Sequence, residues 1–463
     1  MAGRQEIKCI GPSMALADRK ASVQRSVNLY MRQVEGLGED KRVILVSSPG
    51  LTVFAALAGT ARGAFNADGR LFIVAGSGLY EVSSTGVTTL RGTLSGLSGF
   101  VSITYGRDQL VLVDGPNGYV LTLATNVFGL ITDPGWRGSN TVEELDGYFI
   151  FADPGTDQFY ISASDNASKL NALNFSSADT KPDNVIAFRV HKRELILFGT
   201  RSAEVWIDSG NADFPFTRYN STPIDVGLVG IRAHAICADA ICFVGNTDRG
   251  RGYVYEMRGH QPVRISTKAV EEALAGSSDI SQCSMWSYHV SGHEFLGVNA
   301  PGMLTTWVFD FSIRQWHERG EYIAGAWQPL RVEFLIAYEG LQIGIGGASS
   351  YTMSDDAFTL AGDDFVRERT WPHLMSPSFE PVAYRGIELA CTTGSATEGR
   401  ITLEISNDGG YTYGPPLLRS LGVVGRYMQR VRWLALGASR DRVFRLRCSD
   451  AVPLNIHAAA VDA

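Results

Sequence analysis

The sequence predicts an all-β protein that consists of a β-propeller of about seven blades and an additional C-terminal antiparallel β-sandwich or barrel domain. Three observations support this prediction. The chain has 463 residues, which exceeds the usual size of a single core. Its 50 glycines and 10% aromatic residues, with many Val, Thr and Tyr, favour short strands and tight turns over long helices. One strand-turn-strand pattern also recurs along most of its length.

The recurring unit is an apolar strand, a turn that contains Gly or Asp, and a second strand that carries aromatic residues. Seven copies are present, and they are "LFIVAGSGLYEV" from Leu71, "LVLVDGPNGYVLTL" from Leu110, "YFIFADPGTDQFYIS" from Tyr148, "LILFGTRSAEVWI" from Leu195, "ICFVGNTDRGRGYVYEM" from Ile241, "EFLGVNAPGMLTTWVFDF" from Glu294 and "LQIGIGGASSYTM" from Leu341. A period of roughly 40 to 50 residues is typical of propeller blades, which bury both faces only when they stack in a ring. Six or eight blades would also fit.

The repeats divide the chain into an N-terminal extension (1–42), a propeller (43–361), a linker (362–375) and a C-terminal β domain (376–463). We expect the segment from Val43 to Ala55 to pair into the last blade, because an open ring would leave two sheet edges unpaired. The stretch from Ser266 to Gly276 has helix-capping residues at both ends and predicts a short helix between blades. In the C-terminal domain, "ITLEI" and "VFRLRC" alternate apolar and polar residues as strands do.

Charge and cysteine content exclude several classes of protein. The net charge of -7 argues against a protein whose main task is to grip nucleic acid through phosphates. The six cysteines show no CxxC spacing, so we expect buried free thiols and neither a zinc site nor a disulfide framework. No apolar run approaches the ~20 residues of a membrane span, which predicts synthesis in the cytoplasm without membrane insertion.

Several motifs invite a catalytic interpretation. "SNDGGYTYG", from Ser406 to Gly414, has the Asp-box spacing of sialidases and other propellers, but its chemistry is that of a turn. His289 and His293 are four apart, although Gly292 makes a ligand-bearing helix improbable. In "WHERG", His317 and Glu318 would face opposite sides of a strand. We therefore predict no enzyme, no catalytic residue, no cofactor and no metal site, with a carbohydrate-binding or glycoside-cleaving propeller as the alternative function.

One charged feature is a candidate binding site. Eight arginines lie between Arg419 and Arg447, against the single acid Asp441. One interpretation is a solvated strand face, and the other is a basic patch that docks an acidic partner or DNA. In the second interpretation the docking residues are Arg430, Arg432, Arg445 and Arg447.

Six collinear stretches resemble one protein family. They are "RSVNLYMRQ" near Asn28, "KPDNVIAF" near Asp183, "LILFGTRSAEVWIDSGNADFPFTR" from Leu195, "PVRISTKAVEEAL" from Pro262, "TTWVFDFSIRQWHERG" from Thr305 and "LGASRDRVFRLRCSD" from Leu436. These stretches are similar to the packaged-DNA stabilisation protein, or tail hub, of short-tailed bacteriophages. The resemblance extends along nearly the whole chain.

The resemblance implies a structural protein of the phage tail, made in the host cytoplasm and assembled into the virion. It would dock below the portal and its adaptor protein, close the DNA channel after packaging, and present sites for the tail needle and tailspikes. The resemblance further implies a homo-oligomer, a ring of six, that encloses the DNA path without sequence-specific DNA binding. A propeller that serves as a host signalling scaffold is a third hypothesis.

Overall fold

The computed structural model describes residues 5–34, 42–178, 181, 183–211, 213–219, 224–247, 250–376, 378–395 and 398–462. Parts of the predicted N-terminal extension (1–4 and 35–41) and part of the turn in the fifth repeat (248–249) lie outside these residues. Within them the structure is all-β apart from one α-helix and one 3-10 turn. None of the helices in this part of the chain has the length and hydrophobicity needed to span a bilayer.

Seven antiparallel units of four strands form the blades of a propeller, as the repeat predicted. Blade 1 consists of Ala61–Ala67, Arg70–Ala75, Gly78–Val82 and Thr88–Thr93, and blade 2 of Ser102–Gly106, Gln109–Asp114, Asn117–Thr122 and Val127–Leu130. Blade 3 consists of Val142–Leu145, Tyr148–Ala152, Gln158–Ala163 and Asn166–Ser177, and blade 4 of Val185–His191, Glu194–Gly199, Ala203–Asp208 and Phe216–Arg218. Blade 5 consists of His234–Cys237, Ala240–Thr247, Gly250–Arg258 and Gln261–Arg264, and blade 6 of Ser284–Val290, His293–Asn299, Thr306–Asp310 and Gln315–Ile323. Blade 7 consists of Phe334–Tyr338, Leu341–Gly346, Ser349–Ser354 and Gly50–Ala56. Two further short strands, Gly227–Leu228 and Ala326–Pro329, extend blades 5 and 6.

The repeats correspond to the second and third strands of each blade. These are the most deeply buried strands, because they lie between neighbours on both sides within a sheet and between blades on both faces. In blade 1, for example, Leu71, Phe72, Ile73 and Val74 are all fully buried. The continuous apolar runs of the seven copies reflect this burial on both faces.

The ring closes through a strand from the start of the propeller. Gly50–Ala56 pairs with Ser349–Ser354 as the outermost strand of blade 7, with Met353 opposite Leu51. This confirms the prediction for the second half of the segment from Val43 to Ala55. For the first half the prediction is wrong. Arg42–Ser47 does not join the last blade and instead pairs with Leu29–Val34 and with Asn455–Asp462.

The predicted helix is present as Lys268–Ala275, with Thr267 in extended conformation before it and Gly276 after it. Its buried side chains include Val270 and Leu274, which join the core shared by blades 4 to 6. The helix is therefore a packed connection between blades 5 and 6. A 3-10 turn, Ile280–Gln282, follows it.

Two sheets packed face to face form the second domain, which is a sandwich and not a barrel. The first layer contains Leu29–Val34, Arg42–Ser47, Asn455–Asp462, Gly386–Cys391 and Val431–Leu434, with Gln5–Ile7 beside Asn455–Asp462. The second layer contains Arg25–Val27, Arg367–Thr370, Asp441–Cys448, Arg400–Ser406 and Leu417–Ser420, with Leu374–Met375 beside Asp441–Cys448. A separate pair joins Val382–Ala383 to Ala438–Ser439. The N-terminal segment thus contributes strands to both layers.

The sandwich core lies between alternating residues of the two layers. Phe444, Leu446 and Cys448 point inward from the second layer, as their alternation predicted, and Trp433 and Ile456 meet them from the first. All six cysteines are free thiols; five are buried and Cys391 is half-buried. Burial raises the pKa of the Cys283 and Cys391 thiols to about 12, which keeps them protonated and unreactive at neutral pH.

Propeller and sandwich share one continuous sheet. Val27 pairs in parallel with Glu318, on the outermost strand of blade 6, and Arg25–Val27 pairs on its other side with Arg367–Thr370. The latter strand lies in the segment predicted as a linker. Nine strands thereby run from the inner strand of blade 6 to the outer edge of the sandwich, and two further strands, Ala326–Pro329 and Leu374–Met375, pair beside them in the same eleven-stranded sheet. The two domains are connected by hydrogen-bonded strands as well as by the chain itself.

Candidate docking surfaces

The second layer of the sandwich positions two of the four predicted docking arginines, Arg445 and Arg447. Both lie on Asp441–Cys448 and are about one fifth exposed. Arg445 Nε donates to Glu404 Oε2 at 2.7 Å, and its guanidinium lies 3.7 Å from the centre of the Tyr413 ring. Arg447 Nε donates to Glu368 Oε2 at 2.8 Å. Each positive charge is therefore neutralised by a neighbouring strand.

These pairs belong to a row of alternating charges that crosses the junction between the domains. Glu368 is buried between Arg447 and Arg25, and Arg25 Nε donates in turn to Glu318 Oε1 of blade 6 at 3.0 Å. Burial alone would raise the pKa of Glu368, but the charges of Arg25 and Arg447 outweigh it, so that the pKa lies below its usual value. The row stabilises the junction, and Arg445 and Arg447 are structural members of it.

Arg430 and Arg432 lie on the other layer of the sandwich. Arg432 is on Val431–Leu434, and Arg430 precedes that strand. Arg430 is 63% exposed and forms two hydrogen bonds with Glu388, whereas Arg432 lies 3.9 Å from Asp462. The structure therefore separates the four predicted residues into two pairs, one on each layer, and does not bring them together in one basic patch. Their docking role stays a prediction.

Sequence reasoning missed an apolar surface beside Arg430 and Arg432, which we call the distal edge. It comprises Leu417–Ser420, Val431–Leu434 and the loop between them, and each strand is the last in the pairing order of its layer. Six large apolar side chains on it are 48% to 93% exposed, namely Leu418, Val423, Val424, Tyr427, Met428 and Leu434. A signal was available in "LGVVGRYMQR", where apolar pairs occur within a glycine-bearing loop that would ordinarily be polar.

The Asp-box motif forms a tight turn in the sandwich, between Arg400–Ser406 and Leu417–Ser420. Asp408 accepts hydrogen bonds from the backbone N–H groups of Tyr411 and Thr412 at 3.0 Å, and from the hydroxyls of Ser406 and Thr412 at 2.6 Å. Those hydroxyl donors, followed by the backbone donor of Thr412, hold the pKa of the Asp408 carboxyl well below its usual range. These contacts fix the turn, as the sequence predicted, and the motif lies outside the blades.

The propeller encloses a cavity of about 280 Å³ that is lined by the innermost strand of every blade. Its charged side chains are paired: Arg189 donates to Glu143 at 3.1 Å, and Arg232 lies 3.3 Å from Glu333. Burial and the charge of Arg189 lower the pKa of His234 to about 3, so this histidine is neutral. A second cavity of about 460 Å³ shares Phe65, Ile236 and Leu335 with it. Both cavities are far too small to admit a nucleic-acid duplex.

The histidines considered as metal ligands lie on neighbouring strands across a turn. His289 is exposed beside Gln342, whereas His293 is buried and bonds Asp310 at 2.7 Å. His317 and Glu318 face opposite sides of their strand, and burial lowers the pKa of His317 to about 3. No group of three or more His, Cys, Asp or Glu side chains in the described part of the chain could hold a metal ion.

Comparison with protein families decides the relationship of the chain. The family described as "Bacteriophage P22 Gp10, beta-propeller" matches residues 24–332, and "Bacteriophage P22 Gp10, beta-sandwich" matches residues 371–463. The chain belongs to the bacteriophage P22 Gp10 family. It is a phage stabilisation protein, as the collinear stretches indicated, and the propeller and sandwich of the Gp10 family are the two domains described above. No curated protein matches the chain.

Solved structures resemble this member of the Gp10 family only distantly. The N-terminal domain of Nup159 is 9% identical, with a TM-score of 0.39, and the match covers 65% of this chain and 90% of that domain. The WD40 domain of Neurospora crassa Pan2 is 10% identical, with a TM-score of 0.44, and the match covers 67% and 96%. These values carry no inference about function.

Proposed function

We propose that this protein is the tail hub of a short-tailed phage, a structural component that acts without catalysis. It docks below the portal and its adaptor protein after DNA packaging, closes the DNA channel, and presents sites for the tail needle and tailspikes. The observation that carries this proposal is the match of both domains to a family of phage stabilisation proteins, over residues 24–332 and 371–463.

The structure supports a role in which the protein holds its shape under force. The eleven-stranded sheet and the charge row from Glu404 to Glu318 join the propeller to the sandwich. Hydrogen-bonded strands and partly buried ion pairs resist displacement better than a flexible linker does. A protein that closes a channel against packaged DNA requires this rigidity.

The DNA path in this proposal runs between subunits and not through a propeller, because the central cavity of about 280 Å³ cannot hold a duplex. We propose a homo-oligomeric ring, of six subunits, that encloses this path. The overall charge of -7 and the neutralised Arg445 and Arg447 favour a wall along which DNA can slide. DNA is then retained by closure of the channel together with other tail proteins.

The test is to add the full-length chain to the portal and adaptor complex of the same phage and to image the mixture by electron microscopy. We expect a ring of identical subunits below the adaptor, and DNA retention in filled heads that otherwise leak. A chain that leaves the complex unchanged and the heads leaking would refute the proposal. Turnover of a sialoside by the purified chain would favour the carbohydrate-active alternative.

A further inference from the structure

Residues 13–24 form a loop that lies between the propeller and the sandwich, and we call it the N-terminal loop. Met14 N donates to Gln24 O at 2.9 Å, and Leu16 N donates to Ser22 O at 3.1 Å. These two backbone hydrogen bonds join the two arms of the loop. The loop therefore has a defined conformation of its own, and its contacts with both domains can be described side by side.

On the propeller side, the N-terminal loop is held by blade 6 and by the helix. Ser13 N donates to Trp316 O at 2.9 Å, and Ala17 N donates to Glu272 Oε2 at 2.8 Å. Leu16 packs against the core shared by blades 4 to 6. These contacts attach one arm of the loop to the propeller.

On the sandwich side, the N-terminal loop lies against the Asp-box turn. Arg19 Nη1 donates to Gly410 O at 2.6 Å, and the Arg19 guanidinium lies 5.5 Å from the centre of the Tyr411 ring. Val23 is buried at the same place, where a Cβ atom on Gly410 would come within 2.9 Å of it. The turn therefore binds the loop in addition to fixing its own backbone.

His373 contacts the same loop and the sandwich through both nitrogens of its ring. Its Nδ1 lies 2.8 Å from Asp441 Oδ1, and its Nε2 lies 2.8 Å from the backbone oxygen of Arg19. An ionised carboxylate and a carbonyl oxygen accept hydrogen bonds but do not donate them. Both contacts are therefore hydrogen bonds only when each ring nitrogen carries a proton, that is, when the imidazole is positively charged. The His373 side chain is only 10% exposed, so water has little access to replace either partner.

The charged groups around the imidazole come from three elements. Asp441 lies on the neighbouring strand of the sandwich, and the Arg19 guanidinium lies on the N-terminal loop and is held by the turn. Asp408 lies in the turn, next to Gly409, and a Cβ atom on Gly409 would be 3.6 Å from His373 Cε1. Strand, loop and turn thus meet at one ring, so a change in its charge affects all three.

We propose that the N-terminal loop is a proton-dependent connection between the two domains, which is tight when His373 is charged and loose when it is neutral. A neutral imidazole has one N–H group, so it can donate to Asp441 or to the Arg19 oxygen but not to both, and its other nitrogen then faces an acceptor. Histidine ordinarily changes charge between about pH 5 and pH 8. The loop should therefore be held most firmly at acidic pH and should detach more often as the pH rises. The inference goes beyond the proposed function and does not depend on it.

Trypsin cleavage after Arg19 and Lys20 measures how often the loop detaches, because proteolysis follows the population of the locally opened state. The cleavage rate in the full chain is divided by the rate for a free peptide of residues 13–24 at the same pH, which removes the pH dependence of the protease itself. We expect this ratio to rise roughly tenfold in the wild type between about pH 5 and about pH 8, because one hydrogen bond to a charged group is lost.

Two substitutions identify the group that carries the proton and its partner. His373→Gln cannot acquire the charge, so its ratio should be high and equal at both pH values. Asp441→Asn offers an N–H group to Nδ1, so a neutral imidazole can accept there and still donate to the Arg19 oxygen, and the ratio should stay low at both pH values. His457→Gln, on Asn455–Asp462 in the other layer of the sandwich, is the matched control and should respond to pH as the wild type does.

A wild-type ratio that does not change with pH would overturn the proposal, and so would a pH dependence that survives in His373→Gln or in Asp441→Asn. Loss of the pH dependence in His457→Gln would also contradict it. Thermal melting checks that each variant folds. If His373→Gln does not fold, Asp441→Asn decides alone, since continued protection at both pH values supports the proposal and cleavage that still rises with pH refutes it. None of these outcomes concerns ring assembly, so the tail-hub proposal is tested separately.

Discussion

Asn28 and Gly320 exchange two hydrogen bonds across the junction between the domains. The Asn28 side-chain amide donates to Gly320 O at 2.8 Å, and Gly320 N donates to Asn28 Oδ1 at 3.1 Å. The same amide also donates to Val366 O at 2.8 Å. Asn28 is fully buried and has a φ of 57°, a left-handed conformation that asparagine adopts more readily than most residues. One side chain therefore connects the N-terminal segment, blade 6 and the strand that enters the sandwich.

Replacing Asn28 by Ala should lower the free energy of unfolding by about 3 kcal/mol, because buried backbone groups lose their partners. Asn126→Ala is the matched control, since Asn126 has a φ of 55° but is exposed in a turn of blade 2. Denaturant unfolding followed by tryptophan fluorescence measures both. Equal losses in the two variants would show that the left-handed backbone and not the hydrogen bonds sets the effect.

Arg369 should hold the N-terminal segment against the sandwich. This fully buried arginine donates to the carbonyls of Cys9, Gly11 and Pro12 at 2.7, 3.0 and 3.2 Å. Arg369→Lys replaces a planar fork of donors by a single ammonium and should cost roughly 3 kcal/mol. Trypsin should then cleave at Arg19 or Lys20 much faster than in the wild type. Arg385→Lys, at an exposed position, is the control, and an unchanged digestion pattern in Arg369→Lys would contradict this role.

The Asp408 turn should contribute stability and no catalysis. Asp408→Asn should reduce the free energy of unfolding by about 1 kcal/mol at pH 7, a small value because the carboxylate is exposed to solvent. The folded pKa lies below the unfolded pKa of about 3.9, so the contribution is complete above that pH and is lost as the pH falls through the folded value. The difference between wild type and variant should therefore shrink below about pH 4. A sialidase activity in the wild type that the variant lacks would contradict the structural role.

The two arginine pairs should respond differently to neutral substitution. Arg445→Gln with Arg447→Gln breaks the charge row beside the buried Glu368 and should destabilise the sandwich by roughly 2 kcal/mol. Arg430→Gln with Arg432→Gln should leave stability unchanged within error, because both side chains are exposed. Calorimetry of the two double variants checks this.

Neither pair should matter for binding to free duplex DNA, which we expect to be negligible at physiological salt in the wild type. A gel-shift titration with duplex DNA measures it. Tight binding that these substitutions abolish would show that the protein grips DNA directly, and the closure model would then fail.

The seven blades were predictable because the second and third strands of each are buried on both faces. Strands of this kind have continuous apolar runs in the sequence, such as the run that begins at Leu71. The Asp-box turn was predictable for a related reason, since Ser406, Asp408 and Thr412 satisfy donors within seven residues. Local chemistry determines both features. The sequence also indicated that Phe444, Leu446 and Cys448 lie on one face of a strand, and all three side chains face the core of the sandwich.

The junction was not predictable from the sequence, because it depends on pairs far apart along the chain. Arg25 and Glu318 are 293 residues apart, and nothing near either residue indicates the other. The same limitation applies to the arginine cluster: Arg445 and Arg447 look unpaired in sequence because Glu404 and Glu368 lie on other strands. The distal edge was missed because the glycines at 422 and 425 indicate an ordinary loop. Val423 and Val424 are exposed because both sheets end at this loop and no further strand covers them, which the local sequence does not show.

The first layer of the sandwich imposes an order on folding during synthesis. Leu29–Val34 and Arg42–Ser47 leave the ribosome early, but their sheet also needs Asn455–Asp462, about 400 residues later. At a translation rate of about 5–20 residues per second, Asn455–Asp462 is synthesised roughly 20–80 s after these early strands. The blades between them can form in sequence meanwhile, and the sandwich is completed last. A truncated chain that ends before Asn455 therefore cannot complete the first layer of the sandwich, because Arg42–Ser47 and Gly386–Cys391 both pair with the strand that it lacks.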